Sequence, residues 1–432
     1  MSKDTNMIIR RTLVALALGG VLAACGATQP AAPLPAPTAD GQPTAAPTLL
    51  PTTAPTSTAQ PTTQPTAQPT GRPAANTLPA PLYALEEGQV VRIEVDGTTK
   101  TTLTDEEPFA PDALAIVALA VSPADGALAY IVQRPAGGTL VVTDASGENR
   151  RALLEDVPVS GPRWSPDGSA LAVQVAYPLD DSPWRGGLYI VSAFSGEARL
   201  MLASDPPGAG GAGESWGYGP DAWSPDGSKI LVSRYSQTVE SCDAAILDVA
   251  TGELTVLTAR ADDIPSLHVE CGSGVWSPDS STVYVALRRP GLSPREPGLY
   301  TAEAATGQMG WVVPAQTNDG TFALVQSFGV GPDGELYALV TRAEHAPDPA
   351  GDPAALPLPA ALYRVQQGER MLEQLRDETF ALYGPAVWAP DGSGVVIPTP
   401  RTNGGVAYFF VPMGGEAVPL LIEPTDTVVW GR

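Results

Sequence analysis

Trp164-Ser-Pro-Asp-Gly168, Trp223-Ser-Pro-Asp-Gly227, Trp276-Ser-Pro-Asp279 and Trp388-Ala-Pro-Asp-Gly392 are copies of one phrase. Weaker copies stand at Val121-Ser-Pro-Ala-Asp-Gly126 and Val330-Gly-Pro-Asp-Gly334. Proline presets φ for a tight turn, and glycine supplies the left-handed residue at its end. Each phrase therefore closes a β-hairpin. The Trp or Val ends the first strand. A run such as Ala170-Leu-Ala-Val-Gln-Val175 or Lys229-Ile-Leu-Val-Ser233 forms the second. Further on comes another hairpin, seeded by Leu188-Tyr-Ile-Val-Ser192, Ala245-Ile-Leu-Asp248, Leu299-Tyr-Thr-Ala302 or Leu362-Tyr-Arg-Val365. It turns at a glycine, as in Thr251-Gly-Glu253, and ends in a fourth strand such as Leu254-Thr-Val-Leu-Thr258.

One unit is thus four antiparallel strands, A to D. A lone sheet of this kind has two apolar faces and two edges to cover. Packing such sheets radially about an axis covers them, so the repeat predicts an all-β, β-propeller fold. Six units start near residues 119, 162, 221, 274, 328 and 386. Strands B, C and D without an A precede them, over residues 82–104, and a lone strand A follows at Thr427-Val-Val-Trp430. Joined, these ends make a seventh blade of one C-terminal and three N-terminal strands. Seven blades at roughly 50 residues each sit near the periods of known repeats. Six blades, with the termini packed otherwise, is the alternative. The repeated tryptophans are expected to pack between neighbouring blades.

The phrase resembles the WD40-like repeat of the TolB C-terminal propeller, from about residue 82 to the C-terminus. The resemblance implies a TolB-like fold and leaves the function open. In TolB the propeller is a periplasmic interaction module. In prolyl-oligopeptidase and dipeptidyl-peptidase relatives a similar propeller gates a separate hydrolase domain.

The N-terminal residues carry a different message. Arg10-Arg11 precede an apolar run over residues 13–21, and Leu22-Ala-Ala-Cys25 follows. This is the order of a secretory signal peptide, and the run is too short to span a bilayer. The Leu-Ala-Ala-Cys box resembles the bacterial lipoprotein signal, which implies lipidation at Cys25 and an anchor on the extracytoplasmic side of the membrane. Residues 26–80 are mostly Pro, Thr, Ala and Gln. Such a segment buries no core and is expected to be a disordered stalk. At ~3.1 Å per residue it would extend on the order of 170 Å. Residues 81–432 form the propeller domain. Cys242 and Cys271 remain, and in an exported chain they are expected to form a disulfide. A zinc site with His268 would want a fourth ligand and tighter spacing.

Asp plus Glu number 47 against 24 Lys plus Arg, a net charge of −23. This excludes nucleic acid, which calls for a basic stripe. No G-x-S-x-G elbow, H-E-x-x-H, P-loop or dinucleotide fingerprint is present. No cofactor is called for. Asp180-Asp181 and Asp262-Asp263 offer oxygens to Ca²⁺, but loop solvation explains them equally well. The A–B and C–D turns are short and uniform. The B–C and D–A connections are longer and vary between blades, over residues 176–187, 205–221, 288–298, 314–321 and 342–360. Variable loops on a rigid scaffold are a common way to build a binding face. Here they hold Asp180, Asp181, Trp184, Arg185, Trp216, Tyr218, Arg288, Arg289 and Arg295, rich in the Trp, Tyr and Arg of binding hot spots. The main expectation is a non-catalytic scaffold for a protein, peptide or glycan. The alternative is a propeller enzyme, hydrolase or lactonase in type, with carboxylates or a metal at the central channel.

Overall fold

The computed structural model describes residues 77–432. Residues 112, 136, 178–182, 207–214, 237–241, 258–267, 289–297, 315–319, 344–358, 368–370 and 402–403 lie outside the description, as do the side chains of 268–273, 287–288 and 314. Residues 1–76, with the expected signal peptide, Cys25 and nearly all of the expected stalk, therefore fall outside it too.

Seven four-stranded antiparallel sheets form a seven-bladed propeller, which removes the six-bladed alternative. Blade I comprises β4 (Ile116–Val121), β5 (Leu128–Arg134), β6 (Gly137–Thr143) and β7 (Arg151–Val157). Blade II comprises β8 (Val159–Trp164), β9 (Ala170–Val175), β10 (Gly187–Ser192) and β11 (Ala198–Ala203). Blade III comprises β12 (Trp216–Trp223), β13 (Lys229–Ser236), β14 (Cys242–Asp248) and β15 (Leu254–Val256). Blade IV runs from β16 (His268–Trp276) through β17 (Thr282–Arg288) and β18 (Gly298–Glu303) to β19 (Met309–Pro314). Blade V holds β20 (Phe322–Val330), β21 (Leu336–Ala343), β22 (Pro359–Gln366) and β23 (Met371–Ala381). Blade VI holds β24 (Val387–Trp388), β25 (Gly394–Pro400), β26 (Val406–Pro412) and β27 (Val418–Leu420). Blade VII is the composite one. β28 (Val428–Trp430) pairs with β1 (Leu82–Glu86), followed by β2 (Gln89–Ile93) and β3 (Lys100–Thr102). Leu82, Tyr83 and Ala84 lie opposite Trp430, Val429 and Val428.

The first strands of successive blades touch one another, from β4 through β8, β12 and β16 to β20, and from β24 through β28 back to β4. They are the innermost strands. Apolar clusters fill the spaces between blades: Leu140 and Val142 meet Leu171 and Val173 between I and II, and Leu339 and Leu362 meet Val395 and Ile397 between V and VI.

The repeated phrase does two jobs. In the turn, Gly168 takes φ 70° and its N–H donates to the Ser165 carbonyl at 3.0 Å. Ser165 Oγ donates to Asp167 at 2.6 Å, and the same oxygen of Asp167 accepts from the Ser169 N–H. Blade IV has Ser280, φ 62°, where glycine stands elsewhere. Its hydroxyl accepts the Asp226 N–H of blade III at 3.1 Å, which explains a serine in a backbone region it disfavours. The tryptophans do more than pack. Trp164, Trp223, Trp276 and Trp430 each donate their indole N–H to a carbonyl on the innermost strand of the preceding blade: Ala120, Arg163, Ala222 and Val387. Trp388 donates to Ser327 Oγ at 2.9 Å. Farther out, Arg151 and Arg376 reach the turn carbonyls of the next blade at Phe194 and Pro412, while Arg199 reaches Val249.

Candidate functional site

Most innermost strands are broken by a bulge. The register slips between Ile116 and Ala118, Ser160 and Arg163, Pro220 and Ala222, Val269 and Gly274, and Val325 and Ser327. A bulge unpairs a residue and re-aims its side chain, and bulges gather beside active sites. In blade III the unpaired residue is Asp221. It is half-buried, and Ser233 Oγ of β13 donates to its Oδ2 at 2.7 Å. Burial pushes its carboxyl up to about 6, although Ser233 and the nearby Arg163 oppose the shift.

Arg163 comes from β8 of blade II. Its Nε donates to the Asp221 carbonyl at 2.8 Å and Nη1 to the Pro162 carbonyl at 3.0 Å. Two backbone oxygens thus fix the guanidinium, and no carboxylate of the described residues lies within ion-pair distance of it. The residue as a whole is exposed, yet desolvation of its guanidinium lowers its pKa, an effect the charge of Asp221 opposes.

Nearer the B–C and D–A loops, β12 begins Trp216-Gly-Tyr218-Gly. Asp205 pins the first residue by accepting the Trp216 N–H at 2.9 Å. Arg234 of β13 lies with its guanidinium carbon 3.7 Å from the Trp216 ring centroid and its Nε 3.7 Å from Asp243 Oδ2. No hydrogen-bond acceptor reaches that Nε. Tyr218 lies opposite Arg234, and burial raises its phenol pKa. The two glycines have a purpose. A Cβ at Gly217 would stand 2.4 Å from the Tyr235 ring, and one at Gly219 would stand 3.0 Å from Gln174 Oε1. Without them Tyr235 could not reach Gln174 of blade II, whose side-chain amide donates to its hydroxyl.

Of the residues expected to form a binding face, Trp184, Arg185, Trp216 and Tyr218 can be placed. Asp180, Asp181, Arg289 and Arg295 lie outside the described residues, as does the side chain of Arg288. Asp262 and Asp263 lie outside as well. Arg185 precedes β10, and its backbone carbonyl accepts the Tyr189 hydroxyl. Trp184 packs edge-on against Tyr189, centroids 5.5 Å apart, at the margin of the cluster between blades I and II. Trp216 and Tyr218 belong to strand β12 and not to a loop, because that strand starts well before Asp221. Cys271 likewise lies within strand β16, at its bulge, and not in a D–A loop. Asp221, Arg163, Ser233 and Arg234 were not singled out by the repeat. The signal for them was present as a break in pattern: Gly219-Pro-Asp221 and Pro162-Arg163 interrupt strands that should alternate apolar residues up to their Trp.

A cavity of about 410 Å³ lies at the turns of blade V. Its Arg364 is already paired, at 3.3 Å from Glu335 and 3.2 Å from Glu373. Among the described residues no three His, Cys, Asp or Glu side chains gather as a metal site.

No family model and no curated protein matches this chain. Solved structures do. TolB from Acinetobacter baumannii is 15% identical, over 79% of this chain and 78% of that one, with a TM-score of 0.42. An oligogalacturonate lyase in complex with manganese is 14% identical, over 76% and 83%, with a TM-score of 0.50. A puromycin-hydrolyzing peptidase of Mycobacterium tuberculosis is 13% identical over 82% of this chain, with a TM-score of 0.51. This chain spans 54% of that peptidase's length. At such identities the likeness is one of fold. It nonetheless corrects the expectation of a non-catalytic scaffold. The lyase and the peptidase, whose TM-scores are 0.50 and 0.51, are both enzymes by name.

Proposed function

We propose that this chain is an exported, lipid-anchored propeller enzyme of hydrolytic type, working at the inner wall between blades II and III. The observation that carries the reading is Asp221. It is unpaired by a bulge on an innermost strand, held by Ser233 at 2.7 Å, and set beside the fixed guanidinium of Arg163. A carboxyl near 6 exchanges protons at neutral pH. In hydrolysis it takes a proton from the attacking water as the new bond to oxygen forms. It returns that proton to the leaving group as the scissile bond breaks. Ser233 holds one carboxyl oxygen and leaves the other for the proton. Arg163 stabilises negative charge developing on the reacting centre.

The test is a panel of lactone, glycoside and peptide substrates, assayed with wild-type protein and Asp221→Asn. Activity with a pH limb near 6, lost in the variant, supports the reading. Equal activity in both proteins refutes it.

The export half of the proposal rests on Leu22-Ala-Ala-Cys25 and is tested by Cys25→Ala, which should leave the membrane fraction. A Cys242–Cys271 disulfide belongs with it. Cys242 is disulfide-bonded, and its strand β14 packs beside β16, which carries Cys271. Intact mass with and without reductant checks the pairing.

A further inference from the structure

Residues opposite each other on paired strands turn their side chains to the same face, and the faces alternate along a strand. Gly217 pairs with Tyr235 and Gly219 with Ser233, so these four share one face of the β12–β13 pair. Three groups gather there. The Tyr235 ring lies over Gly217, 2.4 Å from where a Cβ would stand. Ser233 holds the Asp221 carboxyl through its 2.7 Å bond to Oδ2. Gln174 reaches in from β9 of blade II, with Oε1 3.0 Å from where a Cβ on Gly219 would stand. Among the described residues, leaving out the chain neighbours of Gly219, only that amide comes within 4 Å of the point. The φ of Gly219 is not left-handed, so its backbone does not call for glycine. What the missing side chain leaves is a hollow of about one methyl group, with an amide oxygen on its border. Tyr235 sets which end of the amide points there. Gln174 Nε2 donates to the phenol oxygen, which leaves Oε1 for the hollow, and Oε1 accepts no hydrogen bond from the described residues. Burial raises the phenol pKa of Tyr235, so the ring stays neutral and its oxygen remains an acceptor for the amide. A water donating to Oε1 from about 2.8 Å takes nearly the place of the missing Cβ.

We propose that the Gly219 hollow seats the water that Asp221 activates, with Gln174 Oε1 accepting one of its O–H groups and the Asp221 carboxylate the other. The proposal rests on the hydrolytic reading of Asp221 and adds the residue that aims the nucleophile. Two acceptors fix both hydrogens of the water, so a lone pair is left pointing away from them, at the substrate. As the water oxygen bonds to the electrophilic carbon, its proton passes to Asp221. The bond to the leaving group breaks, and that group takes the electron pair and then the proton from Asp221. The second O–H stays on the product and keeps its bond to Gln174. Tyr235 touches neither water nor substrate in this step. It is a positioning residue that acts through the Gln174 amide. A substrate methyl in the hollow would leave Oε1 unpaired, which favours water as the occupant.

The test pairs diffraction with kinetics on the full chain. High-resolution diffraction should show an ordered water about 2.8 Å from both Gln174 Oε1 and the Asp221 carboxyl in wild type, and none there in Gly219→Ala. Hydrolysis of p-nitrophenyl acetate, a small ester open to any well-aimed water, is the second readout. Gly219→Ala should melt close to wild type and lose about a hundredfold in kcat with KM little changed, since the methyl takes the seat. Gln174→Leu should lose on the order of tenfold or more in kcat. Gln174→Glu keeps an acceptor and should recover part of that loss, and Tyr235→Phe should fall between wild type and Gln174→Leu. Gly384→Ala, where the new Cβ meets nothing nearer than Pro398 at 3.7 Å, should match wild type. A wild-type hollow without water, or Gly219→Ala and Gln174→Leu proteins with full kcat, would overturn the proposal. The two readings fail separately. Hydrolysis that Asp221→Asn abolishes but Gly219→Ala and Gln174→Leu leave intact removes the water seat and keeps Asp221. Hydrolysis lost in Gly219→Ala but equal in Asp221→Asn and wild type keeps the seat and removes Asp221 as the base. Absence of Asp221-dependent hydrolysis across the whole substrate panel removes both roles, even where diffraction shows the water.

Discussion

Replacing Trp430 by alanine tests how the ring is closed. Trp430 is 9% exposed, packs edge-on against Phe410 with centroids 5.8 Å apart, and donates to the Val387 carbonyl at 3.1 Å. Truncating a core Trp costs ~3–5 kcal/mol. Leaving the Val387 carbonyl without its donor adds about 1 kcal/mol. The loss is therefore roughly 4–6 kcal/mol. An unfolding entropy near 2.1 cal/mol/K per residue, over roughly 350 residues, converts this to a fall in melting temperature of about 5–8 °C. Trp430→Phe keeps most of the packing and forfeits the N–H, so it should lie about 2 °C below wild type. Removing residues 427–432 takes away β28 altogether, bares the inner edge of β1, and should lower the melting temperature more than either substitution. Scanning calorimetry on the three proteins gives the ranking. An alanine variant or a truncation that melts within a degree of wild type would refute closure by the C-terminal strand.

Other outcomes follow from single contacts. Asp221 has a raised folded-state pKa, so the folded protein binds more protons than the unfolded chain between about pH 4 and 6, and stability contributed by this group falls as pH rises through that window. Asp221→Asn should remove this slope and gain on the order of 1–2 kcal/mol relative to wild type at pH 7, read from denaturant melts at pH 4 and pH 7. Gly217→Ala places a Cβ 2.4 Å from the Tyr235 ring and should cost about 1–3 kcal/mol, with a change in the near-ultraviolet tyrosine signal. Ser280→Ala loses the acceptor for Asp226 and keeps φ 62°, so it should be destabilised by about 1–2 kcal/mol, while Ser280→Gly loses the same acceptor but relieves the backbone and should melt above the alanine variant; a Ser280→Ala protein that melts with wild type would remove the hydroxyl's role. Acid acts oppositely on the turns. Ser277 and Ser281 hold the Asp279 carboxyl down at about 2, so its contribution is present above the ordinary Asp value and is lost as pH falls toward 2.

The blades were legible because a turn phrase is local chemistry. Proline, aspartate and glycine at fixed offsets fix a hairpin whatever surrounds it, and the orphan strands at 82–104 and 427–430 could be joined by counting alone. The inner wall was not legible in the same way. Asp221 matters because a bulge unpairs it against β13, and Arg163 because β8 sets it beside that bulge. Both facts depend on register between strands, which no single strand encodes. Trp184 shows the converse. In a loop sequence it reads as an exposed anchor, yet Tyr189 on β10 draws it into packing between blades.

The indole bonds divide the circle unevenly. They join I to II, II to III, III to IV, V to VI and VI to VII. Val121 and Val330 stand where the other two would be. Between VII and I the lack is covered by Glu106, which takes Tyr130, Arg134 and Arg150, and by Arg432 reaching Ala124. Between IV and V the described residues supply an apolar cluster and the Tyr284–Gln367 bond. Apolar surfaces can slip over one another, whereas directional bonds break all at once. Among the described residues the indole links thus form a bracelet that is open at the joint between β16 and β20. Amide exchange should spread from that seam while the strands of blades II and III remain protected.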